Sequence, residues 1–349
     1  MVRIGIIGIG FMGYTHFEGA KFLKRDKITA IATRDKKKLS GNWSSIQGNF
    51  GPRAGQVDTS DLKKYEDYHD LLNDPEIDLV DICLPTELHE KVTLEALAAG
   101  KNVLVEKPIS IELKSANKMV AAAEKAGKQL MVGHVLPFFP EFRFLYETAR
   151  SGRLGKIRSA RFHRVIAPPN WSDNIADYAK LGGWGIDLHI HDNHFIGLLC
   201  GIPQKVFSNG VMEQGLVNHL HTQYVYEDSE LSVSCVSGGI APKHLQFSHG
   251  FEVIFEEGAL LFSAGTFGGE WVVDRPLTEI AKSNKPKSPK LKGGSEWCSA
   301  FTEELRTACD TISKGTAPEI LSGQLALDAL KICHAEAKSI ESGRIISVR

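Results

Sequence analysis

The sequence predicts an α/β fold, with a doubly wound parallel sheet in its N-terminal part and an α+β domain with a largely antiparallel sheet after it. An apolar, β-branched run over residues 2–7 leads into Gly8, Gly10 and Gly13. Predicted strands and helices then alternate as far as residue 132, which is typical of a parallel sheet covered on both faces. Beyond His134, consecutive alternating strands with short turns predict the antiparallel sheet.

The length and composition set the domain organisation. The chain has 349 residues, of which 42% are hydrophobic and 24% are charged. This length predicts two domains, which we place at residues 1–135 and 136–349. The final helices of the chain could pack back on the first domain. The formal net charge of −1 gives no footprint for nucleic acid or an anionic membrane, so the predicted partner is a small molecule.

Cysteine usage and hydropathy indicate the compartment. The six cysteines are scattered, without the spacing of a metal site or a disulfide framework, and they are interpreted as buried thiols in a reducing environment. No apolar run approaches the roughly 18 residues that a membrane helix needs, and the first strand is too short for a signal peptide. We therefore expect a cytoplasmic protein.

The glycine spacing G-x-G-x-x-G, placed directly after a strand and before a helix, predicts a dinucleotide site. Gly8 allows the tight turn, Gly10 lets the backbone approach a pyrophosphate, and Gly13 lets the helix pack closely on the sheet. The diphosphate then lies at the positive end of the helix. Phe11 and Met12, in the first helical turn, are predicted to contact the cofactor with these glycines.

The end of the second predicted strand, residues 27–33, decides between NAD and NADP. An acidic residue there binds the ribose of NAD, but this chain has Thr33 and Arg34, then Asp35 and three lysines. Cations in a first helical turn oppose the helix dipole, and a 2′-phosphate would explain them. This slightly favours NADP, with Thr33 and Arg34 as cofactor contacts. NAD stays open, with Asp35 serving the ribose and the lysines forming a solvated turn.

The remaining elements of the first domain follow in order. Residues 41–55 are Gly-rich and predict a surface loop held down by Trp43 and Phe50. Pro85 and Thr86 follow a buried strand, with Thr86 as a plausible cap of the next helix. The predicted helices are 67–72, 87–99 and 111–125, and the predicted strands are 78–84, 102–105 and 129–132.

The second domain begins with a linking helix over 138–150 and a strand over 156–165. The long loop 166–181 contains Trp171 and is predicted to be functional because of its length. Residues 281–294 carry five lysines and two prolines and predict a solvated loop. Since one face of the sheet needs a cover, we expect a homodimer or homotetramer. The other predicted helices are 184–200, 296–314 and 322–342, and the strands are 204–211, 219–226, 230–237, 245–256, 259–263 and 270–274.

Two places carry side chains suited to chemistry. Strand 102–105 runs into Glu106, Lys107 and Pro108 at the edge where open α/β sheets bind ligands. A lysine there can stabilise charge on a substrate oxygen, although it could also be an ordinary surface cation. The second place is the predicted helix 184–200, on which Asp187 and His191 share one face. His191 is a candidate general base and Asp187 its orienting carboxylate, against the alternative of a structural histidine.

The same helix also contains His189 and His194, which raises the question of a metal. The order H-x-H-D-N-H differs from the metallohydrolase order H-x-H-x-D-H. On one helix, His189 and His191 would point to opposite sides and could not bind one ion. We therefore predict no metal.

These motifs together resemble the glucose-fructose oxidoreductase and inositol dehydrogenase (Gfo/Idh/MocA) family over essentially the whole chain. The resemblance implies a Rossmann domain, a C-terminal domain with an open-faced sheet, and Lys107, Asp187 and His191 as the catalytic residues. It also implies that Thr86 and Glu106 line the nicotinamide end of the site, and Pro85, His89 and Lys107 are added to the expected cofactor contacts. The matching segments are GIGFMG (8–13), IDLVDICLPTELH (77–89), AGKNVLVEKP (99–108), VGHVLPFFPEF (132–142), SGRLGKI (151–157) and GGWGIDLHIHDNHF (182–195).

Departures from the family pattern concern the substrate. The family commonly has glycine at the position of His189, aspartate at that of His194, and a polar residue at that of Pro137. The expected substrate contacts are His163, Trp171, His189 and His194. The predicted activity is NAD(P)-dependent oxidation of a secondary alcohol, or reduction of the ketone, of a sugar, polyol or cyclitol. The alternatives are an NAD-dependent glycoside hydrolase that oxidises its sugar transiently, and a non-catalytic NAD(P)-binding regulator.

Overall fold

The computed structural model describes residues 1–48, 50–168, 175–282, 285–294 and 296–348. It divides the chain into two compact units, Met1–Phe138 with Gly293–Leu327, and Phe139–Lys292 with Asp328–Arg349. The first break lies three residues beyond the expected boundary. Residues 293–327, which we had assigned to the second domain, group with the first unit.

The first unit contains a six-stranded parallel sheet in the order β3-β2-β1-β4-β5-β6. This order is that of a dinucleotide-binding Rossmann fold and confirms the predicted fold class. Every residue of β4 and β6 is buried, as expected for parallel strands covered on both faces. The strands are β1 (Arg3–Ile7), β2 (Lys27–Ala32), β3 (Lys63–Tyr65), β4 (Leu79–Ile82), β5 (Asn102–Glu106) and β6 (Leu130–Gly133).

Helices of the first unit lie between these strands in the chain. The predicted surface loop 41–55 is anchored by Trp43, which is fully buried, while Phe50 is partly exposed and stacks on Phe301. The helices are α1 (Phe11–Ala20), α2 (Lys36–Leu39), α3 (Tyr68–Asn73), α4 (His89–Ala98) and α5 (Leu113–Ala126).

The second unit contains an eight-stranded sheet in the order β13-β12-β11-β7-β10-β9-β8-β14. Its neighbouring strands are antiparallel except for β7 and β10, which confirms the largely antiparallel sheet. The helices that follow α5 are α6 (Pro140–Ser151), α7 (Ile175–Lys180), α8 (Trp184–Asp187), α9 (Ile190–Cys200), α10 (Ser299–Lys314) and α11 (Gly323–Ser342). The strands are β7 (Ile157–Ile166), β8 (Lys205–Glu213), β9 (Leu216–Val225), β10 (Ser232–Gly238), β11 (Leu245–Phe255), β12 (Gly258–Phe267), β13 (Glu270–Ala281) and β14 (Ile346–Ser347).

Helices cover one face of this sheet. Phe162 of β7 contacts Phe195 of α9 with ring centroids 6.0 Å apart, and the backbone N–H of Ser208 donates to Ser339 of α11. Side chains alternate along a strand, so the residues on either side of Phe162 and Ser208 point to the opposite face of the sheet. On that face, Phe207 and Ile254 are 39% and 51% exposed, so apolar side chains face outward there.

None of the described helices combines the length and the apolar character that crossing a bilayer requires.

Candidate active site

The turn after β1 has the backbone geometry that its glycines predict. Gly8 has a φ of +97°, and a Cβ built there would lie 2.6 Å from the carbonyl oxygen of Cys83. A Cβ at Gly13 would lie 2.1 Å from the carbonyl oxygen of Gly8. Gly8 therefore excludes a side chain because of its left-handed backbone, and Gly13 excludes one because α1 packs closely on the sheet.

Gly10 differs from Gly8 and Gly13, because no other part of the described chain lies within 4 Å of a Cβ built on it. It precedes α1, a helix that has no acidic residue in its first turn and no described side chain capping it. The N–H groups of that turn are therefore not claimed by a cap and suit an anion. The open space at Gly10 fits the close approach of a pyrophosphate.

Replacing Gly10 with alanine tests this fit. The extended backbone at Gly10 accepts alanine, so we expect an unchanged melting temperature. The added methyl group should weaken cofactor binding by more than about 10-fold, measured by fluorescence titration with NADPH and NADH. Gly13→Ala is the matched variant, and it should lower the melting temperature because its Cβ meets backbone. Unchanged affinity in Gly10→Ala would show that the cofactor does not contact this turn.

The residues after β2 form a basic turn around one capping carboxylate. Asp35 caps α2, and its Oδ1 accepts hydrogen bonds from the N–H groups of Lys37 (2.9 Å) and Lys38 (3.3 Å). Lys38 Nζ donates to the carbonyl oxygen of Ile9 in the glycine turn, at 2.7 Å. Thr33 is partly exposed and Arg34 is exposed. Sequence reasoning missed Lys38, because nothing local indicates a contact with residue 9.

The loop after β4 contains Pro85 and a 3₁₀ turn at Thr86–Leu88. Pro85 is exposed and Thr86 partly exposed, as cofactor contacts would be. His89 is buried, with ring nitrogens 2.9 Å from the carbonyl oxygens of Leu84 and Pro108. Burial lowers its pKa, so the neutral ring donates to one of them. The expectation of a cofactor contact by His89 is corrected, because its ring joins two loops instead.

At the end of β5, the side chains of Glu106 and Lys107 lie in different surroundings. Lys107 is partly exposed, whereas Glu106 is 6% exposed and its Oε1 lies 3.1 Å from Nε2 of the fully buried His16. The Glu106 side chain is therefore part of the core, and its expected place at the nicotinamide end of the site stays a prediction. The carboxyl ends of parallel strands share one edge, so Lys107 and the glycine turn belong to the same edge of the sheet.

The predicted helix over 184–200 is broken. α8 ends at Asp187, α9 begins at Ile190, and His189 is the N-cap residue of α9. Asp187 and His191 are therefore not one turn apart on a continuous helix, which corrects the geometry expected for them. The side chains of Asp187 and His191 are both partly exposed.

Two expected substrate contacts on this segment, His189 and His194, are buried, as is Pro137 before it. His189, His194 and Pro137 have no more than marginal exposure, so as folded they offer no surface to a substrate. His189 Nε2 lies 3.0 Å from Glu336 Oε1. Burial is the largest single influence on the pKa of His189 and lowers it, but the charge of Glu336 and the hydrogen bonds of Asp192, Cys235 and Glu336 together raise the pKa. His189 therefore contacts α11 inside the protein, and the substrate role expected for His189 and His194 stays a prediction.

Polar contacts around His189 anchor α9 to the sheet and to α11. Asn193 Nδ2 donates to Glu336 Oε2 at 2.7 Å, and Tyr224 Oη donates to Asn193 Oδ1 at 2.7 Å. Arg164 of β7 donates to both carboxylate oxygens of Asp192 at 3.1 Å. This buried network fixes the segment that carries Asp187 and His191. Its partners come from distant parts of the chain, and the sequence alone does not pair them.

His163 and Trp171 are the other two expected substrate contacts. Arg164 and Phe162 point toward α9, so by strand alternation His163 points to the opposite face of the sheet. That position corrects its expected substrate role. Trp171 lies outside the described residues.

Comparisons with known proteins agree with this geometry. Residues 2–134 match the model of an oxidoreductase family with an NAD-binding Rossmann fold. The Bacillus subtilis uncharacterized oxidoreductase YrbE is 32% identical over 99% of this chain and 96% of its own length. The Thermotoga maritima myo-inositol 2-dehydrogenase is 26% identical over 99% of this chain and 98% of its own. The crystal structure of the Caulobacter crescentus aldose-aldose oxidoreductase covers 99% of both chains, at a TM-score of 0.80 and 19% identity.

The similarity extends through both units and beyond the family model itself. The glycine turn, the strand order of the first sheet and the relatives matched over nearly their full length all agree. The chain is an oxidoreductase of the Gfo/Idh/MocA family, and its first unit is the family's NAD-binding Rossmann domain.

Proposed function

We propose that the protein transfers a hydride between a nicotinamide cofactor and a secondary alcohol or ketone of a sugar, polyol or cyclitol. The observation that carries the proposal is the position of Lys107. It is partly exposed and directly follows β5, at the sheet edge that also bears the glycine turn. Catalytic groups of open α/β sheets lie at that edge.

Three side chains divide the work in the proposed reaction. When bound, the nicotinamide accepts the hydride in the oxidation and donates it in the reduction. A ring nitrogen of His191 takes the hydroxyl proton during oxidation and returns it during reduction. The Lys107 ammonium donates a hydrogen bond to the same oxygen and stabilises its negative charge. Asp187 orients the His191 ring and favours its protonated form.

The substrate class rests on the catalytic residues and on a relative. The Thermotoga maritima protein of similar length is named for myo-inositol, a cyclitol with secondary alcohols. With His163, His189 and His194 turned elsewhere or buried, Trp171 remains the one pocket residue carried into the proposal from the sequence. A panel of cyclitols, aldoses and keto sugars, assayed with NAD⁺, NADP⁺ and their reduced forms, tests the class.

The products distinguish the alternatives. Stoichiometric NAD(P)H with a keto product supports the dehydrogenase. Free sugar released from a glycoside without net NAD(P)H supports a glycoside hydrolase. Cofactor binding without any turnover supports a regulator. Either of the last two results would overturn the proposal.

The cofactor of this proposal is NADP. The acid that follows β2 in the chain is Asp35, whose Oδ1 already accepts two backbone N–H groups, whereas Arg34 is exposed beside it. A guanidinium at this position suits a 2′-phosphate, while a free carboxylate would repel it.

Replacing Arg34 with glutamate should therefore weaken NADPH binding by about 10- to 100-fold while changing NADH binding much less. Fluorescence titration measures both dissociation constants without a substrate. Lys24→Glu is the matched control, since it makes the same charge change at an exposed site before β2, at the opposite edge of the sheet. Tighter binding of NADH than of NADPH by the unmodified protein would instead assign NAD.

The proposal also includes an oligomer, formed through the face of the second sheet that points away from α9. Its exposed apolar side chains, including Phe207 and Ile254, suit pairing with a second copy of the chain. This is the surface through which we expect a homodimer or homotetramer to form.

A further inference from the structure

A group of ionisable side chains lies inside the first unit, away from solvent. Its centre is His16 of α1, whose Nδ1 lies 2.8 Å from Asp81 Oδ2 of β4. On the other side of the ring, Nε2 lies 3.1 Å from Glu106 Oε1 and 3.5 Å from Glu304 Oε1 of α10. We call His16, Asp81, Glu106 and Glu304 the His16 cluster. It joins α1, the helix that begins at the glycine turn, to β5, the strand that directly precedes Lys107.

The cluster is sealed by its surroundings. His16, Asp81 and Glu304 are fully buried. Gly133, the last residue of β6, has no side chain where a Cβ would lie 3.2 Å from Glu106 Oε1 and 3.5 Å from Glu304 Oε1. On the β4 side, Cys83 Sγ lies 3.6 Å from His16 Nδ1. Because these side chains are buried, the charges within the cluster depend mainly on one another for balance.

One imidazole faces three carboxyl groups, so the protonation states follow from their competition. Burial is the largest single influence on the pKa of His16 and lowers it, but the charge and hydrogen bond of Asp81, together with Cys83, raise the pKa well above the usual value. Burial raises the pKa of Glu304, and the charges of Glu106 and Asp81 raise it further, although His16 opposes them. These directions favour the imidazolium form of His16 and the neutral acid form of Glu304. The acidic oxygens nearest to the His16 ring are those of Asp81 at 2.8 Å and Glu106 at 3.1 Å.

The cluster connects to Lys107 through the backbone. The N–H of Lys107 donates to Glu106 Oε2 at 3.1 Å, while Glu106 Oε1 faces His16. The Glu106 carboxylate thus bridges a buried cation and the peptide group from which the Lys107 side chain departs. Without the cation, this carboxylate would have to become protonated or leave the core.

We propose that His16 is a positioning residue for Lys107, because its ring holds Glu106 in the core and thereby fixes the backbone at the end of β5. This inference rests on the proposed function in one respect, which is the catalytic role given to Lys107. Glu304 completes the arrangement as a neutral neighbour of the same ring nitrogen.

The test compares His16→Gln with the double variant His16→Gln/Glu106→Gln. The single variant removes the cation and leaves the Glu106 carboxylate without a counter-charge. The double variant also removes the negative charge of Glu106. We expect the single variant to lower kcat by about 10- to 100-fold, the effect of a small displacement of a catalytic group. The dissociation constant of NADPH should stay within about 3-fold. The double variant should recover a large part of kcat, which a merely destabilising change would not do.

A second readout needs no turnover. Reductive methylation followed by mass spectrometry gives the reactivity of Lys107 relative to the exposed Lys24 in the same unit. This ratio should change in His16→Gln and return toward its original value in the double variant. His69→Gln is the control, because it removes an exposed histidine that pairs with Asp67 on the same unit. The control should leave the ratio unchanged.

The outcomes separate this inference from the proposed function. A ratio that changes and is rescued supports the positioning role even if no substrate is turned over, and in that case only the proposed function fails. A ratio and a kcat that stay unchanged in His16→Gln would overturn the positioning role, as would a double variant no better than the single one.

Two measurements on the unmodified protein cover the case in which His16→Gln does not fold. Nitrogen NMR should find the His16 ring doubly protonated at about pH 8, where an ordinary histidine is neutral. A neutral ring at that pH would overturn the proposal. The facing atoms of His16, Glu106 and Glu304 lie within 4.8 Å of one another, so the metal content must also be measured. Stoichiometric zinc or manganese would overturn the role of the imidazolium.

Discussion

Alanine at Lys107 or at His191 is expected to lower turnover by about 100- to 10,000-fold, the range for loss of a group that transfers or stabilises a proton in the transition state. The affinity for NADPH should remain mostly intact, because the glycine turn and the residues after β2 bind the rest of the cofactor. Steady-state kinetics on the best substrate of the panel and fluorescence titration with NADPH measure the two effects separately.

Matched controls are available in the same chain. Lys118→Ala removes an exposed lysine of α5 that pairs with Glu90, and His69→Ala removes an exposed histidine. Both should keep turnover within about 2-fold, in line with surface substitutions far from a site. If Lys107→Ala and His191→Ala both turn over at nearly the original rate, the catalytic assignment is wrong.

Trp43→Ala is expected to destabilise the first unit by about 3–5 kcal/mol, the usual cost of emptying a buried tryptophan site. The Trp43 ring is fully buried, with its centroid 4.9 Å from that of Phe17 and 6.1 Å from that of Tyr14 of α1. Its Nε1 donates to the carbonyl oxygen of Lys38 at 2.8 Å, a bond that is also lost. Urea denaturation followed by circular dichroism measures the change.

A second tryptophan provides the comparison. Trp271 of β13 is 56% exposed, so Trp271→Ala should change the free energy of unfolding by no more than about 0.5 kcal/mol. Because Trp43 packs on the helix that begins at the glycine turn, Trp43→Ala should also weaken NADPH binding. Equal stability losses for the two variants would mean that loop 41–55 does not stabilise the first unit.

The site was only partly predictable, and the broken helix shows why. The apolar and polar positions over 184–200 fit one helical period, so the sequence predicted one helix. In the structure, His189 caps α9 and its ring meets Glu336, which is 147 residues away in the chain. A contact with so distant a partner leaves little local signal in the sequence. The same holds for Glu106, whose partner His16 lies on another element.

Local chemistry determined what the sequence could establish alone. The glycine turn, the alternation of strands and helices and the antiparallel strands of the second unit each follow from neighbouring residues, because backbone sterics and side-chain periodicity act over short distances. Tertiary structure alone decided which histidines are buried, which carboxylates they hold and which face of a strand His163 occupies. Those outcomes depend on charges and packing partners far apart in the chain, and burial makes each such pairing costly to leave incomplete.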